Sequence, residues 1–103
     1  MTILRLLTYT PSPEVARTIA AALLDARLIA CANIGPAFQS HYVWQGVREV
    51  ETETQLWLKT RTDLRDRVMA EVARLHPYDV PMIAADEVTV NADYADWVAA
   101  QTA

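Results

Sequence analysis

Three glutamates, Glu49, Glu51 and Glu53, alternate along one segment. In an extended chain they project from the same side with Cβ atoms about 6.6 Å apart, so two of them could share a hard cation or an acidic proton. The same spacing describes a solvated face, and Glu53, nearest the apolar part of the segment, is the member expected to depart from it. His76 could bind a transition metal through its neutral imidazole, and Cys31 could do so as thiolate. Neither has a second ligand at metal-site spacing, because the chain contains no CxxC, HxH or HxxxH. Cys31 lies in LIACANI, among apolar residues that keep a thiol protonated, which reads as a buried structural cysteine. A single histidine followed by Pro77 and Tyr78 reads as a packed or hydrogen-bonded one. The aromatic residues Phe38, Tyr42, Trp44, Trp57 and Tyr78 could line an apolar pocket with a few polar handles. Packing between subunits would use the same residue types.

Templates for catalysis are missing. There is no GxSxG, GxxxxGK[ST] or GxGxxG, and the two glycines, Gly35 and Gly46, cannot form a phosphate cradle. An acylphosphatase-like phosphate loop after the first strand would need backbone donors where TYTPSPE supplies prolines. No enzymatic activity is expected, nor is an organic cofactor.

These side chains must be positioned by a chain of 103 residues, which is the size of one domain, residues 1–103. Its 52% hydrophobic and 21% charged residues support a core and argue against disorder. A net charge of −4 with no long basic block gives nucleic acid no phosphate-binding stripe. No apolar run approaches the roughly 18 residues of a membrane span, and the N-terminal segment lacks signal-peptide features. With one cysteine, no intrachain disulfide can form. A cytoplasmic location follows as the expectation.

Residues 3–9 read as a buried strand. Ser12 can cap a helix beginning at Pro13, with Glu14 near its positive end. The rows Val15, Ile19, Leu23 and Ala16, Ala20, Leu24 give that helix one packed side, with Arg17 and Asp25 on the other. LIACANI, residues 28–34, has no helical period and stops at Gly35-Pro36, so it reads as a central strand buried on both faces. A strand-like run from Phe38 to Trp44 follows, then a tight turn at Gln45-Gly46. Beyond the turn, polar residues take odd positions up to Arg61, while Val50, Leu56 and Leu58 take even ones. Thr62 or Asp63 can cap a second helix carrying Leu64, Val68, Val72 and Leu75, which must stop near His76 because of Pro77. Residues 82–90 supply a last strand, and Asn91 or Asp93 can start a short C-terminal helix.

The order β-α-β-β-α-β-α matches the α+β, split βαβ or ferredoxin-like plan, with an antiparallel sheet covered by two helices on one face. The hairpin strands, roughly 34–44 and 47–61, are about twice the usual length. Part of the hairpin should therefore project beyond the core, and unpaired edges of that length invite another chain.

The segments CANIGPAFQSHYVWQG, ETETQLWLKT, HPYDVP and DYADWV, in this order and at these separations, resemble the CutA divalent-cation tolerance proteins. The resemblance spans essentially the whole chain. It is most specific at Ala30-Cys31-x-Asn33, at Ser40-x-Tyr42-x-Trp44, at Glu53 ahead of Lys59-Thr60, and at His76-Pro77-Tyr78 before Val80-Pro81.

Such a resemblance implies a homotrimer, similar in form to the PII signalling proteins, whose long hairpins pair across subunits and leave a cleft between neighbours. It implies a role in tolerance of divalent metals, with copper(II) or another divalent cation as the bound ion. Some bacterial members carry a cysteine where this chain has Tyr9 and a second histidine where it has Leu75. Of that set only His76 remains, so binding would be weak unless symmetry brings His76, Cys31 or Glu53 of neighbouring copies together. The PII-like alternative is a cleft lined by Tyr42, Trp44, Glu53, Lys59 and Tyr78, taking a small organic or anionic ligand with Lys59 as the charge handle. A structural trimer that supports a protein partner is the third reading.

Overall fold

A computed structural model describes residues 1–103. The first strand, β1 (Thr2–Thr10), hands over to helix α1 (Pro13–Asp25) through the predicted cap. The Ser12 hydroxyl accepts a hydrogen bond from the Val15 amide at 3.2 Å, and Pro13 opens the helix. Ala16, Ile19, Ala20 and Leu23 are buried, whereas Leu24 falls outside the stripe and is exposed. The helix ends in a Schellman turn: the Arg27 and Leu28 amides donate to the carbonyls of Leu24 and Leu23, both at 3.0 Å. Arg27 is left-handed there (φ 56°).

That turn changes the reading of residues 28–34. Leu28, Ile29 and Ala30 are buried but stand outside any strand, and strand β2 runs from Cys31 to Trp44. The strand is also not central, since the sheet order is β2-β3-β1-β4. An edge position explains how β2 passes through Gly35-Pro36 where the sequence predicts a stop. The register slips between Ile34 and Ala37, and a proline without an N–H is tolerated at such an irregularity.

Strand β3 (Val47–Thr60) returns along β2 and continues against β1. The turn between them has positive φ at both central residues, Gln45 at 50° and Gly46 at 81°, which is the type I′ geometry that matches strand twist. Gly46→Ala is expected to lower stability by about 1 kcal/mol, and Gln45→Gly to recover a similar amount, because a Cβ is penalised in this region. Thermal melts of the two variants test the pair.

After β3 comes a 3₁₀ turn, Thr62–Leu64, and only then helix α2 (Arg65–Leu75). Neither Thr62 nor Asp63 caps α2. The Asp63 carboxylate instead accepts from the Arg61 guanidinium at 3.0 Å. Strand β4 (Ile83–Thr89) pairs with β1, and helix α3 (Ala92–Gln101) closes the chain without a side-chain cap from Asn91. All neighbouring strands are antiparallel, as the α+β split βαβ plan requires.

The even residues of β1 and β3, Leu4, Leu6, Leu56 and Leu58, meet α1 and Val68 and Val72 of α2 in the main core. Ile3, on the alternate side, packs with Ala30, Ala95 and Val98 under α3. The molecule measures 46 × 25 × 23 Å and its radius of gyration is 14.3 Å, above the roughly 13 Å of a compact chain this long. The far end of the β2–β3 hairpin accounts for the excess. No helix is long and apolar enough to cross a membrane.

Candidate functional site

Where the hairpin leaves the core, the connector after α2 folds back beside it. His76 ends α2 with extended backbone, because Pro77 excludes a helical conformation before it. Its ring is 7% exposed and uses both nitrogens. The Nε2 lies 2.9 Å from the Tyr9 carbonyl, which can only accept, so this nitrogen carries the proton. Nδ1 then holds the lone pair and accepts the Tyr78 amide at 3.3 Å. Burial pushes the imidazolium below its usual range, against the opposing pull of the Tyr9 carbonyl and the Glu53 charge.

This arrangement aims Tyr78. Its ring packs against His76 at 4.7 Å with the planes tilted by 48°, and its hydroxyl donates to Glu53 Oε2 at 2.8 Å. Burial, then the bond to Glu53, raises the phenol well above its ordinary value. Glu53 is 7% exposed, as expected for the exception in its row, while Glu51 is exposed. The register places Phe38 opposite Glu53, Ser40 opposite Glu51 and Tyr42 opposite Glu49. Tyr9 meets Phe38 edge-on at 4.7 Å.

In front of this framework lies an open cavity of about 690 Å³, lined among others by Tyr9, Tyr42, Trp44, Glu53, Tyr78 and Met82 but not by Phe38 or His76. Four residues named for the inter-subunit cleft, Tyr42, Trp44, Glu53 and Tyr78, line this cavity of a single copy. Lys59 is not among the lining residues of the same copy. It pairs with Cys31 and Arg5 six residues further along β3, about 20 Å from Glu53 at strand rise. Trp57 lies in that other region too, beneath the Arg5 guanidinium at 4.9 Å. Cys31 is partly exposed rather than buried, at the start of β2, with its thiol 3.5 Å from Asn33 Oδ1. Sequence reasoning missed Tyr9, Val80 and Met82 as wall residues. Strand alternation held a signal for Tyr9, whereas the path of residues 77–82 had none.

As a metal centre, the residues of one copy do not fit. No three His, Cys, Asp or Glu side chains come close enough to hold an ion. His76 has spent its lone pair on an internal hydrogen bond, and Cys31 lies at the start of β2, paired with Lys59, which is six residues along β3 from Glu53.

The chain is thus an α+β protein with an antiparallel ferredoxin-like sheet, an overlong hairpin and an aromatic, acidic cavity along it. The profile of the CutA1 divalent ion tolerance protein family matches residues 4–101. The chain is 45% identical over 93 residues to the divalent-cation tolerance protein CutA of Thermus thermophilus, covering 89% of this chain and 90% of that one. It is 40% identical over 100 residues to the Pyrococcus horikoshii protein of the same name, covering 94% and 97%. The crystal structure of CutA1 from Ehrlichia chaffeensis superposes with a TM-score of 0.93 at 38% identity, covering 98% of this chain and 95% of that one. The chain belongs to the CutA1 divalent ion tolerance family, which is not a known enzyme family. Compartment varies among relatives: the rice protein is named chloroplastic and the Archaeoglobus fulgidus protein periplasmic.

Proposed function

We propose that the chain serves divalent-cation tolerance in the cytoplasm as a non-enzymatic homotrimer that contacts copper(II) or a similar ion only weakly. The observation that carries this reading is the engagement of both His76 nitrogens within the fold. A metal would have to displace the Tyr78 amide from the lone pair of Nδ1 on a buried ring to use it, so ion contact falls to exposed carboxylates such as Glu49 and Glu51. Single carboxylates in water hold divalent ions loosely.

Assembly is supported by the exposed apolar residues of the hairpin, Val43, Val47 and Val50, each more than half exposed in a single copy. Such side chains on a long hairpin with free outer edges are what a neighbouring copy would cover. Light scattering is expected to give three times 11.5 kDa. Calorimetry with copper(II) is expected to show weak heats without saturation at stoichiometric ion. One tightly bound ion per subunit, lost in His76→Gln, would refute the weak-contact reading.

The cavity favours a second reading, a small-ligand site in the manner of a signalling module. Its volume lies in the range of ligand pockets, and it pairs apolar walls with a few polar groups. A ligand that binds only the native state raises its melting temperature, so non-metal stabilisers in a thermal screen would support this reading.

A further inference from the structure

The cavity has a definite charge sign, and it is opposite to the one a Lys59 handle would give. No lysine or arginine of the same copy lines it. Its charged wall residues are Glu53 and Asp79, with His41 the one basic side chain, itself exposed. Glu53 is more than nine-tenths buried, yet its only partner is the neutral Tyr78 hydroxyl at Oε2, and no donor of the chain reaches Oε1. A buried carboxylate is ordinarily matched by a cation or by several donors. Here Oε1 has no partner within the chain and faces the solvent of the cavity, where a group that enters can reach it.

The field around it has the same sign. Glu49 and Glu51 share the strand face of Glu53, and beyond burial the charges of Glu51, Glu49 and Glu53 all act on the Tyr42 hydroxyl to hold its proton. Anionic ligands would meet this field with only the exposed His41 and neutral O–H and N–H donors to offset it. A hydrated divalent ion would gain one buried carboxylate and lose water against aromatic walls, where hard cations want many oxygens.

The other lining groups select among cations. Tyr9, Tyr42, Trp44 and Tyr78 are aromatic, and Met82 adds a soft apolar surface. Aromatic faces attract ammonium and guanidinium groups, Trp most strongly, and cages of this kind recognise alkylated ammonium ions. A planar guanidinium could in addition meet a carboxylate oxygen directly.

We propose that this cavity is a binding site for a small organic cation, whose ammonium or guanidinium group sits on Glu53 between the aromatic walls of Tyr42 and Tyr78, with Trp44 further out toward the hairpin end. The inference rests on the small-ligand reading above and fixes the chemical class of that ligand.

The test is calorimetry and thermal shift on the wild-type protein with choline, agmatine, citrate, ATP and zinc chloride as probes. Choline or agmatine is expected to bind saturably while citrate and ATP do not. Glu53→Gln should weaken that binding at least tenfold, the scale of a lost charge-assisted contact, and Tyr42→Leu should weaken it several-fold. Glu53→Gln retains an acceptor for the Tyr78 hydroxyl, and Tyr42→Leu, at the exposed rim, is a second variant that does not disturb the buried contacts. Binding of citrate or ATP alone would overturn the assigned charge class and leave the small-ligand reading standing. Binding of zinc alone, lost in Glu53→Gln, would overturn both in favour of an ion site. No binding by any probe would overturn both, and a changed subunit mass in Glu53→Gln would then identify the cavity as a contact between copies.

Discussion

Replacing His76 by alanine is expected to lower the folding free energy by about 3 kcal/mol and to remove a pH dependence of stability near neutrality. The magnitude combines a cavity at a buried ring with the loss of both its hydrogen bonds, which leaves the Tyr9 carbonyl and the Tyr78 amide without their partner. The pH dependence follows from the lowered pKa of the folded imidazole. In the unfolded chain the ring titrates near about 6.5. Above that value both states are neutral and stability is at its full level. As pH falls below it, the unfolded chain takes up the proton first, so stability declines until the folded value is passed. Glu53 and the Tyr9 carbonyl oppose burial here and narrow the window without reversing it. His76→Gln, which keeps a donor for Tyr9, should restore part of the stability but none of the slope. Urea unfolding at several pH values from 5 to 8 measures both effects.

Leu58→Ala is expected to cost about 3–4 kcal/mol, whereas Val50→Ala in the same strand and the same even row should fall within about 0.5 kcal/mol in a dissociated subunit. Leu58 is 1% exposed and joins the core under both long helices, while Val50 is 55% exposed. Sequence alternation treats the two alike, and the hairpin's overhang separates them. In an assembled trimer that covers the hairpin, Val50→Lys should act on subunit mass at low protein concentration more than on the melting of a single copy. Equal costs for Leu58→Ala and Val50→Ala in a dissociated subunit would mean that the hairpin end is buried within its own chain.

Much of the fold is legible because local signals agree. Ser12-Pro13 starts a helix, Gln45-Gly46 turns a hairpin, and Pro77 stops α2 at His76. The misreading of residues 28–34 has a physical origin. Leu28, Ile29 and Ala30 are apolar because a helix-terminating turn buries them, and a continuous apolar run does not distinguish that from a two-sided strand. The cap of α2 was illegible because Asp63 binds Arg61, a competition between neighbours that spacing cannot rank.

The site divides in the same way. Glu53 stood out as the last acid before the apolar half of its strand, and Tyr42, Trp44 and Tyr78 by type. Lys59 shares the odd row of Glu53, yet sharing a face says nothing about distance along it, and six residues carry it out of the cavity. The role of His76 depended on where the Tyr9 carbonyl lies, 67 residues earlier in the chain. No local pattern encodes that contact.

The central claim is that His76 is a neutral structural bridge and not a metal ligand. Its most direct test is a nitrogen-15 correlation spectrum of the imidazole, recorded with and without one equivalent of zinc(II) per subunit. The bridge predicts an Nε2-protonated ring at pH 7 whose two nitrogen shifts stay in place on adding zinc. A shift of Nδ1 or Nε2 to the position of a metal-bound nitrogen would contradict it.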